Sequence, residues 1–436
     1  MIFFRVTDNI NIKITDGTLI EYKKLQQPSI IMNENIYCTT YEDFKSIQKI
    51  FKSVDEKFET KILNEMRVKS SALFPQELGI SNEKEYEILN KYEKMIESKK
   101  FSNANFEHEV PTYFFNDRLF VKLQTQLNFA KESIKVAIIG GCGKDIGEIV
   151  ASSGAVRILY EYLKTHFKEV DIDLFLNASS NTYYTRDKEI LQNLPFIHAI
   201  KPLSLNLKVL SMYDYYIDNS SIRKQTFYND LPYIDAYLFK FGIDYNTIPD
   251  VKKFNEIHLD KYRPKKELED LLINLKSRGK VLLFHPYSAD NTRSIPHEYA
   301  KSMLNDLMKK CDDYTVITAL DIEGVKNENY ITLAKYSKTF SDFAYIISNM
   351  DRVITVDTAT YHISDAFFIP TVVLFTNDKM KQRLKYYKYV KGIHLKNSIK
   401  TLSKFIFRND ALSLNPFDCW KNIKISKVIK LLEKIR

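Results

Sequence analysis

At 436 residues the chain is too long for one ordinary core, and the usual size range divides it into two or three domains. Hydrophobic residues make up 44% and charged residues 27%, which excludes a disordered chain, and 11 glycines with 12 prolines exclude a collagen-like or low-complexity one. The net charge of +9 is spread over many lysines. Such a basic surface suits nucleic acid, an anionic membrane face or a phosphorylated substrate, or is simply solvated, so charge alone selects no partner.

No repeat at a fixed period is present. The start, MIFFRVTDNINIK, lacks the basic region and uninterrupted apolar run of a signal peptide, and no stretch approaches the ~18–20 apolar residues of a membrane span. Cys38, Cys142, Cys311 and Cys419 are far apart without CxxC spacing, so neither a zinc site nor a disulfide framework is expected. A cytoplasmic location follows as the expectation.

Residues 1–130 read as an accessory region, with a strand near Ile2–Ile14 and amphipathic helices over Tyr41–Phe58 and Asn82–Glu97. The pattern sharpens at IKVAII, Ile134–Ile139, a β-branched run ending in glycines, the mark of a buried strand meeting a turn. A helix over Ile149–Phe167 and strands at Val170–Leu176, Phe196–Ile200 and Tyr213–Ile217 follow. The charged stretch Lys261–Lys280 is the linker candidate, and the same grammar restarts beyond it. Strands are expected at Val281–Phe284, Tyr314–Ala319, Arg352–Val356 and Thr371–Phe375, and helices at His297–Lys310, Ser341–Asn349 and Ala359–Phe368. Strands alternating with helices imply parallel sheets, with ligands beyond the carboxyl ends of the strands. Boundaries are expected at 1–130, 131–262, 263–405 and 406–436, the last a tail ending in an amphipathic helix over Ile425–Ile435.

Three segments carry candidate chemistry. GGCGKDIGE, Gly140–Glu148, is a glycine-rich strand-to-helix turn that can receive an anion or can be mere packing. A phosphate loop needs Ser or Thr after Lys144, where Asp145 stands, and Gly141, Gly143 and Gly147 give GxGxxxG, not the dinucleotide GxGxxG. Asp145 and Glu148 fall at a strand's carboxyl end, where a carboxylate serves as a general base or as a helix cap. FHPYSADNTRSIP, Phe284–Pro296, offers Ser288, Thr292 and Arg293, groups that suit the oxygens of a diphosphate or an ordinary polar loop. VDTATYH, Val356–His362, places Asp357, Thr358, Ala359, Thr360 and His362 at a strand-to-helix turn. There Asp357 either bonds a sugar hydroxyl or caps the helix.

Taken together, GEIVASSGAVRIL (Gly147–Leu159), HPYSADNTRSIP (His285–Pro296), VDTATYHISDAFFIPTVVLF (Val356–Phe375) and CWKNIKISKVIKLLEKI (Cys419–Ile435) resemble glycosyltransferase family 9, the family of the lipopolysaccharide heptosyltransferases. The resemblance covers residues from about 134 to the end. It implies an α/β fold of GT-B type, two Rossmann-like domains facing a cleft, here with an additional N-terminal α+β region. It implies an inverting, metal-independent transfer of a heptose-like sugar from a nucleotide-sugar, ADP-linked by expectation, to an anionic bacterial surface glycan or glycolipid. Glu148 would be the general base, with Asp145 its rival; Ser288, Thr292 and Arg293 would hold the leaving diphosphate. Asp357, Thr358, Ala359, Thr360 and His362 would hold diphosphate and sugar. No cofactor and no nucleic acid are expected, and the basic surface would allow peripheral contact with the inner membrane face. The family usually has Asp at Glu148, Lys at Arg293 and Gly at Ala359. A catalytically inactive, nucleotide- or glycan-binding member is the alternative, and a nicotinamide-dependent oxidoreductase fits poorly because GxGxxG is broken.

Overall fold

The structure, a computed structural model, describes residues 1–25, 32–71, 74–80, 86–87, 114–115, 122–396 and 418–435. It divides into two compact units, one of residues 1–144 and 152–252, the other of residues 145–151 and 253–436. Each unit is built on a parallel sheet, so the α/β class read from the patterning holds.

The first unit opens with β1 (Ile2–Val6), β2 (Ile10–Lys13) and β3 (Leu19–Tyr22), followed by β4 (Tyr37–Thr39), helix α1 (Tyr41–Val54), β5 (Thr60–Ile62) and β6 (Gln76–Glu77). The expected single strand over Ile2–Ile14 is thus two strands. Polar Thr7–Asn9 interrupts the run, and β1 pairs with β4 and β5 while β2 turns back on β3. The expected helix Asn82–Glu97 falls mostly outside the described residues. Within it Tyr86–Glu87 forms β7, paired with β8 (Phe114–Phe115), because a partner strand takes up its backbone groups.

Strands β9 (Ser133–Ile139), β10 (Glu169–Leu176), β11 (Ala199–Pro202), β12 (Leu205–Asn206) and β13 (Tyr215–Asp218) complete the unit. Its parallel sheet runs β11-β10-β9-β13-β6, and β12-β4-β1-β5 forms a separate antiparallel sheet. Phe3 and Cys38 of that smaller sheet share a core with Ala137, Ile139 and Phe175 of the parallel one. The N-terminal stretch therefore packs on the first parallel sheet and lends it the edge strand β6. Helix α2 (Ile146–Lys164) starts three residues earlier than the apolar spacing suggests, which places Glu148 in its first turn.

In the second unit the stretch expected as a linker, Lys261–Lys280, contains helix α3 (Lys266–Arg278). Leu268, Leu272 and Leu275 recur at helical spacing and are buried, each contributing about 1.5–3 kcal/mol, enough to override the charged surroundings. Then come β14 (Lys280–His285), α4 (His297–Lys310), β15 (Tyr314–Thr318), β16 (Tyr330–Thr332), α5 (Phe340–Ser348), β17 (Arg352–Val356), α6 (Ala359–Ala366), β18 (Thr371–Phe375), β19 (Val390–His394) and α7 (Ile425–Glu433). All six strands are parallel in the order β16-β15-β14-β17-β18-β19. In chain order that is 3-2-1-4-5-6, the doubly wound arrangement of dinucleotide-binding sheets. Strands with four or five buried residues in succession fit a sheet covered on both faces. Val428 and Leu432 of α7 and Trp420 join the core on Leu304, Ile354 and Leu374. No helix among the described residues is long and apolar enough to cross a membrane.

Candidate functional site

In a 3-2-1-4-5-6 sheet the strand order reverses between the first and fourth strands, here β14 and β17, and ligands bind beyond their carboxyl ends. His285 ends β14 beside Thr355 of β17, and the Thr355 hydroxyl donates to the His285 carbonyl at 3.0 Å. Three turns leave this edge: 286–296 after β14, 357–358 after β17 and 376–377 after β18.

Asp357 joins them. Its Oδ2 accepts from Asn377 Nδ2 at 3.0 Å and lies 3.7 Å from Arg293 Nη1, while Oδ1 accepts from the Tyr361 hydroxyl at 3.3 Å. Thr376 ties the outer turn to the first by donating to the Thr292 carbonyl at 3.0 Å. Arg293 is half-buried, and a second carboxylate, Asp290, lies 3.7 Å from its Nε. The guanidinium is therefore held at the mouth of the turn by two acids.

Asp357 does not cap the helix that follows. Thr358 is the N-cap of α6, with extended backbone (φ −148°, ψ 174°) and no side-chain capping bond. The first-turn N–H groups of α6 are thus left without a side-chain cap, a site suited to an anion next to Arg293. Thr358 and Ala359 are half-buried there.

The remaining residues of the expected set are engaged elsewhere. Thr360 is fully buried, its hydroxyl 3.1 Å from His285 Nδ1. Desolvation pushes the His285 imidazole down to about 4, so it is neutral at physiological pH. His362 is 4% exposed, and burial, aided by the positive charge of Arg293, lowers it to about 3. Its Nδ1 is bonded to the Tyr387 hydroxyl. Thr292 donates to Asp290 at 2.7 Å, and the Ser288 hydroxyl accepts from the Asp290 N–H at 3.3 Å, so both hydroxyls shape the loop.

At the other motif Gly140 and Gly141 adopt φ of 89° and 72°, left-handed conformations that favour glycine, and a Cβ on Gly141 would strike Leu176 at 2.8 Å. Asp145 is exposed, whereas Glu148 is 5% exposed. Residues 145–151 belong to the second unit, and there Gly147 meets His362: a Cβ at Gly147 would lie 2.6 Å from His362 Cδ2. Glu148 therefore follows directly on a backbone position packed against a residue of the third motif. Among the described residues no group of three or more His, Cys, Asp or Glu side chains is placed to hold a metal ion.

Sequence reasoning missed Asn255, Asp365, Asn377 and Tyr387. Asn255 donates to Asp365 at 3.0 Å, and Tyr387 donates to Asn255 at 3.4 Å. Asp365 lay inside a quoted motif, but Asn255, Asn377 and Tyr387 stand in segments with no signal of their own.

The sheet order, with its polar turns gathered at the switch point, defines a doubly wound α/β architecture. No known protein family matches the chain by sequence, and no curated protein does. Among solved structures it is similar to Escherichia coli ADP-heptose lipopolysaccharide heptosyltransferase II, at 13% identity and a TM-score of 0.47 over 69% of this chain and 98% of that one. It is similar to a family 9 glycosyl transferase from Veillonella parvula, at 12% identity and 0.44 over 71% and 98%. A third is the iron-containing dodecameric glycosyltransferase TibC from enterotoxigenic E. coli, at 10% identity and 0.43 over 69% and 77%.

Proposed function

We propose that the chain is an inverting glycosyltransferase that moves a heptose-like sugar from a nucleoside-diphosphate donor, ADP-linked, to an anionic bacterial surface glycan such as lipopolysaccharide or lipooligosaccharide. The observation that carries this reading is the convergence of Arg293, Asp357 and the side-chain-uncapped start of α6 at the switch point. The donor diphosphate would lie against Arg293 and the N–H groups at Thr358 and Ala359.

Glu148 takes the proton of the acceptor hydroxyl, whose oxygen attacks the anomeric carbon from the face opposite the diphosphate. The bond from that carbon to the diphosphate oxygen breaks, and the electron pair leaves with the diphosphate beside Arg293. The guanidinium does the work a divalent cation does elsewhere, so the reaction is proposed to need no metal. Asp145, exposed in the same turn, is the other carboxylate able to serve as base.

Thermal-shift titration with ADP and ADP-heptose tests the donor half, since binding raises stability with the logarithm of ligand excess. Glu148→Gln should cut turnover by about 100-fold or more while ADP affinity is kept. Unchanged turnover would transfer the role to Asp145. Ligand binding without transfer or hydrolysis across a donor panel would favour the non-catalytic reading, and activity abolished by a chelator would overturn metal independence.

A further inference from the structure

A chain of buried polar groups runs through the second unit and ends at the start of α2. Asp365 Oδ2 accepts from Asn255 Nδ2 at 3.0 Å, which fixes the amide of Asn255 with its Oδ1 on the other side. That Oδ1 accepts from the Tyr387 hydroxyl at 3.4 Å. A hydroxyl has one proton; assigning it to Asn255 leaves the same oxygen to accept from His362 Nδ1. The imidazole is then neutral, protonated on Nδ1, with the lone pair on Nε2.

Packing fixes the ring as firmly as bonding does. Tyr361 lies against it at 4.0 Å between centroids and 31° between planes, and Tyr387 meets it edge-on at 5.5 Å and 80°. Gly147 also lies against the ring, where a Cβ would stand 2.6 Å from Cδ2 and 3.0 Å from Nε2. The next residue in the chain is Glu148.

We propose that Asp365, Asn255 and Tyr387 are positioning residues that hold His362 in its Nδ1-protonated form, with Nε2 turned to Gly147, and so set where the carboxyl of Glu148 stands. This rests on the reading of Glu148 as the base. It gives His362 a role on the side of the acceptor hydroxyl's base, in place of direct contact with the donor. It also explains the use of glycine at position 147: any side chain would displace the ring that seats the helix start.

The test uses the full chain and hydrolysis of ADP-heptose to ADP as the turnover probe. Nitrogen-15 spectra, with His362 assigned through His362→Gln, should show the Nδ1-protonated tautomer in the parent protein. Tyr387→Phe should lose that signature and lower kcat by about 10-fold or more, with KM and ADP affinity changed by less than about two-fold. Tyr386→Phe, whose hydroxyl instead accepts from Lys253 at 2.9 Å, should change neither. Should Tyr387→Phe fail to fold, Gly147→Ala presses on the same ring from the other side and should lower kcat in the same way.

An Nε2-protonated parent, or Tyr387→Phe with kcat intact, overturns the proposal while leaving the transferase reading in place. A loss confined to KM or ADP affinity overturns it too, by returning His362 to donor binding. A parent that neither transfers nor hydrolyses the sugar of any nucleotide donor defeats the transferase reading and this proposal with it.

Discussion

Burial acts on the ionisable groups around α6 in opposite senses. Asp365, whose carboxylate is bonded by Asn255, is pushed up by desolvation to about 7 from an ordinary 3.8. A carboxyl shifted this way gains its proton more readily in the folded chain, so its contribution to stability is fully present below about 3.8 and is lost as pH rises through about 7. His285 and His362, lowered to about 4 and about 3 from 6.5, work the other way. Their contribution is present above 6.5 and is lost as pH falls towards their folded values. Asp365→Asn keeps an acceptor for Asn255 and removes the buried charge. It should raise Tm at pH 8 by roughly 2–4 °C or more and leave it nearly unchanged at pH 5. Equal effects in melts at the two pH values would show that Asp365 carries no buried charge at pH 8.

At the scale of elements, α6 shows how a helix stop departs from the expected residue. Ile369 N–H bonds the Ser364 carbonyl at 2.9 Å and Phe368 N–H bonds the Asp365 carbonyl at 3.0 Å, the paired bonds of a Schellman stop. The residue that must be left-handed there is Phe368, at φ 57°, where glycine is the usual occupant. Its ring is 58% exposed and touches Tyr389, so little packing offsets the strain. Phe368→Gly should therefore stabilise the chain by about 1 kcal/mol, read as a higher Tm; a lower one would mean that the Tyr389 contact outweighs the strain. The helix itself was legible, because VDTATYHISDAFFIP places an apolar period between a polar turn and a proline. Helix α3 was not. Its three buried leucines sit among eight residues of Lys, Arg, Glu, Asp, Asn and Ser, and the density of charged side chains masked the period. The strands RVITV and TVVLF were read to the residue, since central parallel strands are apolar on both faces.

For the whole molecule, the +9 charge acquires a physical use if the acceptor is an anionic membrane glycolipid. Binding to vesicles containing anionic lipid should be measurable at about 0.05 M salt and fall sharply at about 0.5 M, as screening shortens the reach of each lysine. Indifference to anionic lipid would remove membrane contact from the proposed function. The sequence by itself determined the alternation of strand and helix, the three polar turns and the acid beside Gly147. Local periodicity and turn chemistry act over a few residues, and a chain read once displays them directly. Only the tertiary structure decided the order 3-2-1-4-5-6, which brings turns some 20 to 84 residues apart onto one edge so that Arg293, Asp357 and Asn377 meet. It likewise decided that Thr360 and His362 are buried and bonded, and it recruited Asn255 and Tyr387 from segments without a motif. Long-range pairing of strands and the burial that follows depend on contacts that no local window of sequence contains.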